Sequence, residues 1–101
     1  MMYRNSRKSE GKPLKLAIEE FIRTFRLEDK LSEKKILYSW ENVVGEMVSK
    51  HTRRISIRNR TLYVGLDSAA LRSELFYLKE KIIMELNREA GRKVIDEVVF
   101  Q

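Results

Sequence analysis

The strongest constraint on the fold is a change of hydrophobic period in the middle of the chain. Between residues 53 and 67 apolar and polar side chains alternate, as they do in β-strands that bury one face. The alternation is interrupted at residues 58–61, where Asn59 tolerates the backbone of a turn. We therefore predict two antiparallel strands joined by a turn, with one face packed on the core. The buried face is expected to carry Ile55, Ile57, Leu62, Val64 and Leu66.

Before this hairpin the apolar residues recur with the period of an α-helix. A first helix is predicted to begin after Pro13 and to end near residues 27–30, and a second helix is predicted to begin with Ser32 as its N-cap. In the second helix, Trp40 lies in the middle of the apolar stripe and is expected to anchor the core. A glycine inside a helix costs about 1 kcal/mol relative to alanine, so Gly45 is expected to permit the close approach of another element, the alternative being a frayed helix end.

The residues after the hairpin predict one long helix and a closing strand. Ser68 is a suitable N-cap for this helix, and Ala90 with Gly91 marks its C-terminal end. The β-branched residues in the segment 94–100 favour a strand. The predicted order of elements is therefore α-α-β-β-α-β.

A chain of 101 residues is expected to fold as one domain, because a chain of this size buries roughly 65% of the surface that it exposes when unfolded. Residues 1–13 are polar and basic and are expected to form a flexible tail, and residues 14–101 are expected to form the domain. The sequence has no cysteine, which rules out disulfides and thiolate metal ligands and indicates a reducing compartment. No apolar run approaches the roughly 20 residues that span a bilayer, and the start lacks the apolar stretch of a secretory signal. We therefore expect a cytoplasmic protein that does not contact membranes.

The positive charge is concentrated in the tail and around the hairpin. Lysine and arginine number 21 against 15 aspartates and glutamates, a formal net charge of +6, which favours a polyanionic partner such as nucleic acid. On the hairpin face opposite the core, guanidinium groups would lie beside a tyrosine, and this combination binds phosphates and stacks bases. An ordinary solvated sheet face has the same pattern, and these residues alone favour the two interpretations equally. The candidate nucleic-acid-binding residues are Lys50, Arg53, Arg54, Arg58, Arg60 and Tyr63 in or beside the hairpin, and Arg4, Arg7 and Lys8 in the tail.

Side chains that support catalysis are scarce. His51, the single histidine, stands where the second helix meets the first strand, a position where an imidazole more commonly stabilises a helix C-terminus than acts as a base. The carboxylates fall on solvated helix faces. The pair Gly11 and Lys12 has no strand before it and no serine or threonine after it, so it is not a phosphate-binding loop. We therefore expect neither an enzyme nor an ATPase, and no cofactor, metal or small-molecule substrate.

The third predicted helix carries more large apolar residues than one core-facing stripe requires. Phe76 and Ile83 lie seven residues apart on one flank of the stripe, and Tyr77 and Met84 lie seven apart on the other. Packing against the first two helices is expected to absorb Phe76 and Ile83. Tyr77 and Met84 are harder to bury and indicate a contact with a partner protein or a second copy of the chain.

The segment 40–52, WENVVGEMVSKHT, together with the helix from residue 68 and the closing strand, resembles the DciA family of small bacterial proteins. The resemblance runs from about residue 14 to the end of the chain. It consists of a tryptophan, two small apolar residues and a glycine in one helix, a histidine before a short hairpin, a serine-rich helix start, and a closing apolar strand. The matching residues are Trp40, Val43, Val44, Gly45, His51, Leu62, Val64, Ser68, Leu71, Glu74, Leu75, Leu86, Asn87, Gly91, Val98 and Phe100.

This resemblance implies a KH-like α/β domain of the α+β type, with helices packed on one face of a three-stranded sheet. It also implies a protein that contacts the hexameric replicative helicase and single-stranded DNA and helps to load the helicase without hydrolysing ATP. KH domains clamp nucleic acid with a GxxG loop; the chain has none, so binding would use other surfaces such as the hairpin. The alternatives are an RNA-binding module in translation or ribosome assembly, and a protein adaptor or homodimer that does not bind nucleic acid.

Overall fold

The computed structural model describes residues 13–25 and 27–101. Arg4, Arg7 and Lys8 therefore lie outside the described residues. Within them, five helices and three strands follow one another in the predicted order α-α-β-β-α-β, with the second and third predicted helices each divided in two. The elements are α1 (Leu14–Thr24), α2 (Glu28–Val44), α3 (Glu46–Lys50), β1 (Thr52–Arg58), β2 (Thr61–Leu66), α4 (Ala69–Phe76), α5 (Lys79–Ala90) and β3 (Glu97–Phe100).

The predicted hairpin and the mixed α/β fold class are confirmed. The strand order of the sheet is β1-β2-β3, with β1 antiparallel to β2 and β2 parallel to β3. In this register Ile55 lies opposite Val64, and Ile57 lies opposite Leu62. Alternation along the strands directs these side chains to the helical side of the sheet, where the two β2 residues are fully buried.

The core lies between this face of the sheet and the helices α2 and α5, which pack against each other. Trp40 of α2 is 4% exposed, and its indole Nε1 donates a hydrogen bond to Oγ1 of Thr52 at 3.1 Å. The Thr52 hydroxyl in turn donates to the carbonyl of Val48 at 2.9 Å. The tryptophan thus joins α2, α3 and β1, and its polar atom is satisfied where the ring is buried.

Several boundaries differ from those predicted. Ser32 is not an N-cap, since α2 begins one turn earlier at Glu28 and Ser32 lies buried within it. The helix after β2 begins as predicted, with the hydroxyl of Ser68 accepting a hydrogen bond from the Leu71 N–H at 3.2 Å. It is interrupted at residues 77–78, where α4 ends in a tight turn before α5 begins. Its end at Gly91 is a left-handed C-cap with φ of 80°.

The apolar residues of α1 do not enter the core, since no residue of this helix is buried. Phe21 and Phe25 contact each other with ring centroids 4.6 Å apart but remain 56% and 60% exposed. The expected packing of the first helix over Phe76 is therefore wrong, and Phe76 is 59% exposed. Within residues 13–25 and 27–101, no helix combines the length and apolar character that crossing a membrane requires.

Gly45 separates α2 from α3 for a reason other than the close approach predicted for it. A Cβ added there would meet no atom within 4 Å. The backbone has φ of 95° and ψ of 164°, a conformation that is essentially restricted to glycine. The glycine therefore permits the chain to turn between two helices.

We predict that Gly45→Ala lowers the free energy of unfolding by about 1–3 kcal/mol, the usual cost of holding a side-chain-bearing residue in such a conformation. The loss should come from backbone strain alone, because the added methyl group has no atom to collide with. Urea denaturation followed by circular dichroism measures it. A loss below about 0.5 kcal/mol, the range typical of neutral surface substitutions, would show that the α2–α3 junction relaxes at no cost.

Candidate nucleic-acid interface

The face of the sheet opposite the core carries alternate residues of the three strands. On β1 these are Arg54, Ser56 and Arg58, and all three are exposed. On β2 they are opposed by Gly65, Tyr63 and Thr61, respectively. In β3, Val99 and Glu97 lie beside Tyr63 and Thr61. The alternation along β1 thus places Arg54 and Arg58 on one open surface, with their Cα atoms about 13 Å apart along the strand at roughly 3.3 Å per residue.

Arg58 lies over the ring of Tyr63, with its Cζ atom 4.5 Å from the ring centroid. A contact of this kind is worth about 0.5–1 kcal/mol at an exposed site. Since one face of the ring is covered by the guanidinium group, a nucleobase that approaches from that side would meet the guanidinium plane first. A guanidinium plane also stacks on bases, so the pair offers one flat cationic surface.

Arg54 lies across Gly65 on the neighbouring strand. A Cβ added at Gly65 would lie 3.4 Å from Nε and 3.5 Å from Cβ of Arg54, which is ordinary van der Waals contact, so this arginine lies directly over the glycine. Among the residues that the structure describes, neither Arg54 nor Arg58 forms an ion pair, and their charges are open to a ligand.

Arg53 does not share this surface freely, because the register of β1 shifts between Thr52 and Arg54. Arg53 is bound instead to Asp67 at the end of β2, with its Nε donating to Oδ2 at 2.6 Å and its Nη2 in contact with the same oxygen. Nδ1 of His51 lies 2.7 Å from the other carboxylate oxygen. The pKa of Asp67 lies below its ordinary value. The largest cause is the hydrogen bond with His51, and the interaction with Arg53 lowers the pKa further. This cluster ties together the two ends of the hairpin that lie away from the turn.

Arg60 is likewise engaged within the protein. It follows Asn59 in the turn, where both residues have positive φ, 61° and 50°, as the mirror-image turns of hairpins require. Its Nε lies 3.1 Å from Oδ2 of Asp96, and its Nη1 donates to the Lys93 carbonyl at 3.5 Å. Arg60 therefore fastens the turn to the segment before β3. The structure brings Arg54, Arg58 and Tyr63 together, whereas Arg53 and Arg60 are committed to carboxylates, and Lys50 is exposed at the end of α3.

Sequence reasoning missed the two carboxylates, Asp67 and Asp96, that engage Arg53 and Arg60. The alternation identifies which residues share a face, but it does not show the shift at residue 53 or the acids that approach from elsewhere. Asp67 stands directly after the second strand, and an acid at the end of a basic hairpin was the signal available for it. Asp96 is 36 residues from Arg60 and left no such local signal.

The predicted partner-binding residues lie around the α4–α5 junction and along α5. Tyr77 is 83% exposed and Met84 57%, while Ile83 packs partly against the core. Phe76 and Tyr77 contact each other edge to face, with centroids 5.7 Å apart. Their role in binding a partner stays a prediction. Across residues 13–25 and 27–101, no group of three or more His, Cys, Asp or Glu residues is placed to hold a metal ion.

Comparison with known proteins gives a consistent match. A family model described as "Dna[CI] antecedent, DciA" matches residues 13–100. The chain is also similar to a UPF0232 protein of Corynebacterium glutamicum (strain R), at 28% identity over 60 residues. That match covers 59% of this chain and 34% of the relative, so the chain spans about a third of the length of the curated relative that it matches.

Proposed function

Because this chain belongs to the DciA family, we propose that it is a non-enzymatic accessory protein of DNA replication. In this proposal it binds the replicative helicase and single-stranded DNA, and it assists loading of the helicase without hydrolysing ATP itself. The sheet face described above would contact the DNA, and helical surfaces would contact the helicase. The match of the family model over residues 13–100 supports the replication role.

The observation that carries the DNA part is the open pair of arginines on β1. Arg54 and Arg58 are exposed, and no carboxylate among the described residues neutralises either of them. A guanidinium group donates two parallel hydrogen bonds to a phosphate, and Tyr63 beneath Arg58 supplies the aromatic surface that single-strand-binding proteins combine with such charges. In this arrangement the arginines would contact the phosphate backbone of the nucleic acid, and the flat side chains would stack on its bases. It therefore favours binding to single strands without a preference for a defined sequence.

The DNA part is tested by titrating a fluorescently labelled single-stranded oligonucleotide with the protein at several salt concentrations. We expect log affinity to fall linearly with log salt, with a slope of about −0.7 for each phosphate neutralised and so about −1.4 for Arg54 and Arg58 together. Absence of binding at low salt, or binding that salt does not weaken, would contradict the proposal. Competition with RNA of the same sequence would distinguish a replication protein from an RNA-binding module.

The helicase part is tested separately by mixing the protein with purified replicative helicase and measuring the mass of the product by light scattering during size-exclusion chromatography. We expect a complex heavier than the helicase hexamer, formed without added nucleotide. Elution of the two proteins in separate peaks at micromolar concentrations would contradict this part. The same experiment on the protein alone gives its own oligomeric state, and a stable homodimer would favour the adaptor alternative.

A further inference from the structure

A groove lies between α4 and the outer edge of β3, on the side of the sheet away from β1. Its volume is about 420 Å³. The helical wall includes Arg72, Phe76 and Tyr77, and Lys79 lies at its end. The strand wall is formed by Val98, Val99 and Phe100. The groove adjoins the open face of the sheet at Val99, which lies beside Tyr63, but neither Arg54 nor Arg58 lines it.

The strand wall of this groove is an open sheet edge. In the described sheet β3 pairs with β2 alone. The Gln101 N–H donates to the Val64 carbonyl at 2.8 Å, and the Leu66 N–H donates to the Gln101 carbonyl at 2.7 Å. Since parallel strands bond through alternate residues, the backbone groups of Val98 and Phe100 are directed away from β2.

One of these four outward groups is already hydrogen-bonded to a side chain of the protein. The Val98 N–H donates to Oε1 of Glu97 at 2.8 Å. The pKa of Glu97 lies below its ordinary value, mainly because of this hydrogen bond and secondly because of the contact with Lys79. The N–H of Phe100 and the carbonyls of Val98 and Phe100 have no strand beyond them in the described residues. A row of such groups is a template for one more strand.

The helical wall exposes two aromatic rings against which apolar side chains of a bound molecule would pack. Phe76 and Tyr77 are 59% and 83% exposed, although rings of this size are usually covered in soluble proteins. Nζ of Lys79 lies 5.1 Å from the centroid of the Phe76 ring, which keeps a cation beside the apolar wall. A chain lying along β3 would bring every second side chain against these rings.

The charge of the groove indicates which kind of molecule it binds. Its lining includes two cations, Arg72 and Lys79, and of these Arg72 has no carboxylate partner among the described residues. Nη1 of Arg72 donates to the Leu66 carbonyl at 3.2 Å, which fixes this guanidinium group at one end, and Lys79 lies at the other end, 3.2 Å from Glu97. A sheet edge with unpaired backbone donors and acceptors, beside apolar rings and one arginine without a carboxylate partner, fits an extended polypeptide with an acidic side chain better than a nucleic acid.

We propose that the edge of β3 and the exposed face of α4 form a docking groove for an extended, acidic peptide segment of a partner protein, which adds to the sheet as a fourth strand. Strand addition of this kind takes its affinity from main-chain hydrogen bonds and its specificity from alternate side chains. The site is separate from the arginine surface and does not depend on the function proposed above.

The test is a selection of random peptides of about 10 residues, displayed on phage, against the full chain. We expect the recovered peptides to be enriched in aspartate, glutamate and β-branched residues, and a labelled peptide of this kind to bind Phe76→Glu about tenfold more weakly. Met47→Glu is the matched control, because Met47 is similarly exposed, at 65%, but lies outside the groove; it should change affinity less than about twofold. On peptide binding, the Phe100 amide should exchange with solvent more slowly and the Arg54 amide should not.

Recovery of no binding peptide would overturn the proposal, as would a peptide whose affinity Phe76→Glu leaves unchanged. It would also be overturned if single-stranded DNA displaced the peptide and lost its own affinity with Phe76→Glu, since the groove would then be a nucleic-acid site. Replacement of Arg54 and Arg58 by glutamate should leave peptide binding intact, so failure of the DNA part and failure of the groove give different results.

Discussion

Asn87→Ala is expected to lower the free energy of unfolding by about 2–4 kcal/mol. The side chain of Asn87 in α5 makes three hydrogen bonds to the segment before β3. Its Nδ2 donates to the Ile95 carbonyl at 2.9 Å, and its Oδ1 accepts from the N–H groups of Val94 and Ile95 at 2.8 and 3.0 Å. Val94 and Ile95 are buried, and each buried backbone group left without a partner costs about 1–3 kcal/mol.

The three costs are not expected to add fully, because Asn87 itself is only half-buried and water can replace part of the lost bonding. A loss of 2–4 kcal/mol is nonetheless a large share of the roughly 5–15 kcal/mol that stabilises a domain. At about 4–8 °C for each kcal/mol in a chain of this size, the melting temperature should fall by about 8 °C or more. Urea and thermal denaturation followed by circular dichroism measure both quantities.

Two variants control this prediction. Asn42→Ala removes the same side chain from an exposed position on α2 and should change stability by less than about 0.5 kcal/mol. Asn87→Asp keeps the acceptor for Val94 and Ile95 but removes the donor to the Ile95 carbonyl, so its stability should lie between those of Asn87→Ala and the unchanged protein. If Asn87→Ala were as stable as Asn42→Ala, the segment before β3 would be held by the packing of Val94 and Ile95 and by the contacts of Arg60, with no measurable contribution from Asn87.

The fold could be predicted where a single period dominates a segment. The two-residue alternation around Ile55 and Val64 places side chains on opposite faces, and the burial of one face then determines the hairpin. The break between α4 and α5 at Tyr77 could not be predicted, because the residues there include no glycine or proline to end a helix. The start of α2 was misplaced because Ser32 suits both an N-cap and a buried interior position.

The candidate site was predictable to the same extent. Alternation along β1 is sufficient to place Arg54 and Arg58 on one face, but it says nothing about which arginines meet carboxylates. Arg53 is bound to Asp67 and Arg60 to Asp96, which lie 14 and 36 residues away in the sequence, respectively. These two arginines are therefore not available to a ligand in the way that Arg54 and Arg58 are. Such contacts depend on the packed fold, and only Asp67, at the end of the hairpin, has a position in the sequence that hints at its contact.

Asn87 illustrates a further limit of sequence reasoning. It belongs to the matching residues of the family resemblance, but its position on a helix does not show that its amide faces a loop seven and eight residues ahead. An asparagine is a moderately poor helix former, so its presence near the end of α5 is unremarkable locally. Its contribution arises only once Gly91 reverses the chain and returns Val94 and Ile95 to the helix.

Simultaneous replacement of Arg54 and Arg58 by glutamate is expected to lower the affinity for single-stranded DNA by at least about tenfold. Each change removes one phosphate contact and introduces a repelling charge, so the slope of log affinity against log salt should become less negative by about 1.4. The fold should survive, because both side chains are exposed and the contact of Arg58 with Tyr63 is worth no more than about 1 kcal/mol. Fluorescence anisotropy across a salt series measures affinity and slope together.

The matched control is replacement of Lys34 and Lys35 by glutamate, two exposed positions on α2 that change the net charge of the protein by the same amount. Long-range attraction to DNA depends on net charge, whereas contact with phosphates depends on where the charges lie. If the sheet face binds DNA, the α2 variant should lose only a small part of the affinity and should keep the salt slope of the unchanged protein. Equal losses in the two variants would mean that DNA is attracted by the overall charge and that the open arginines on β1 have no special role.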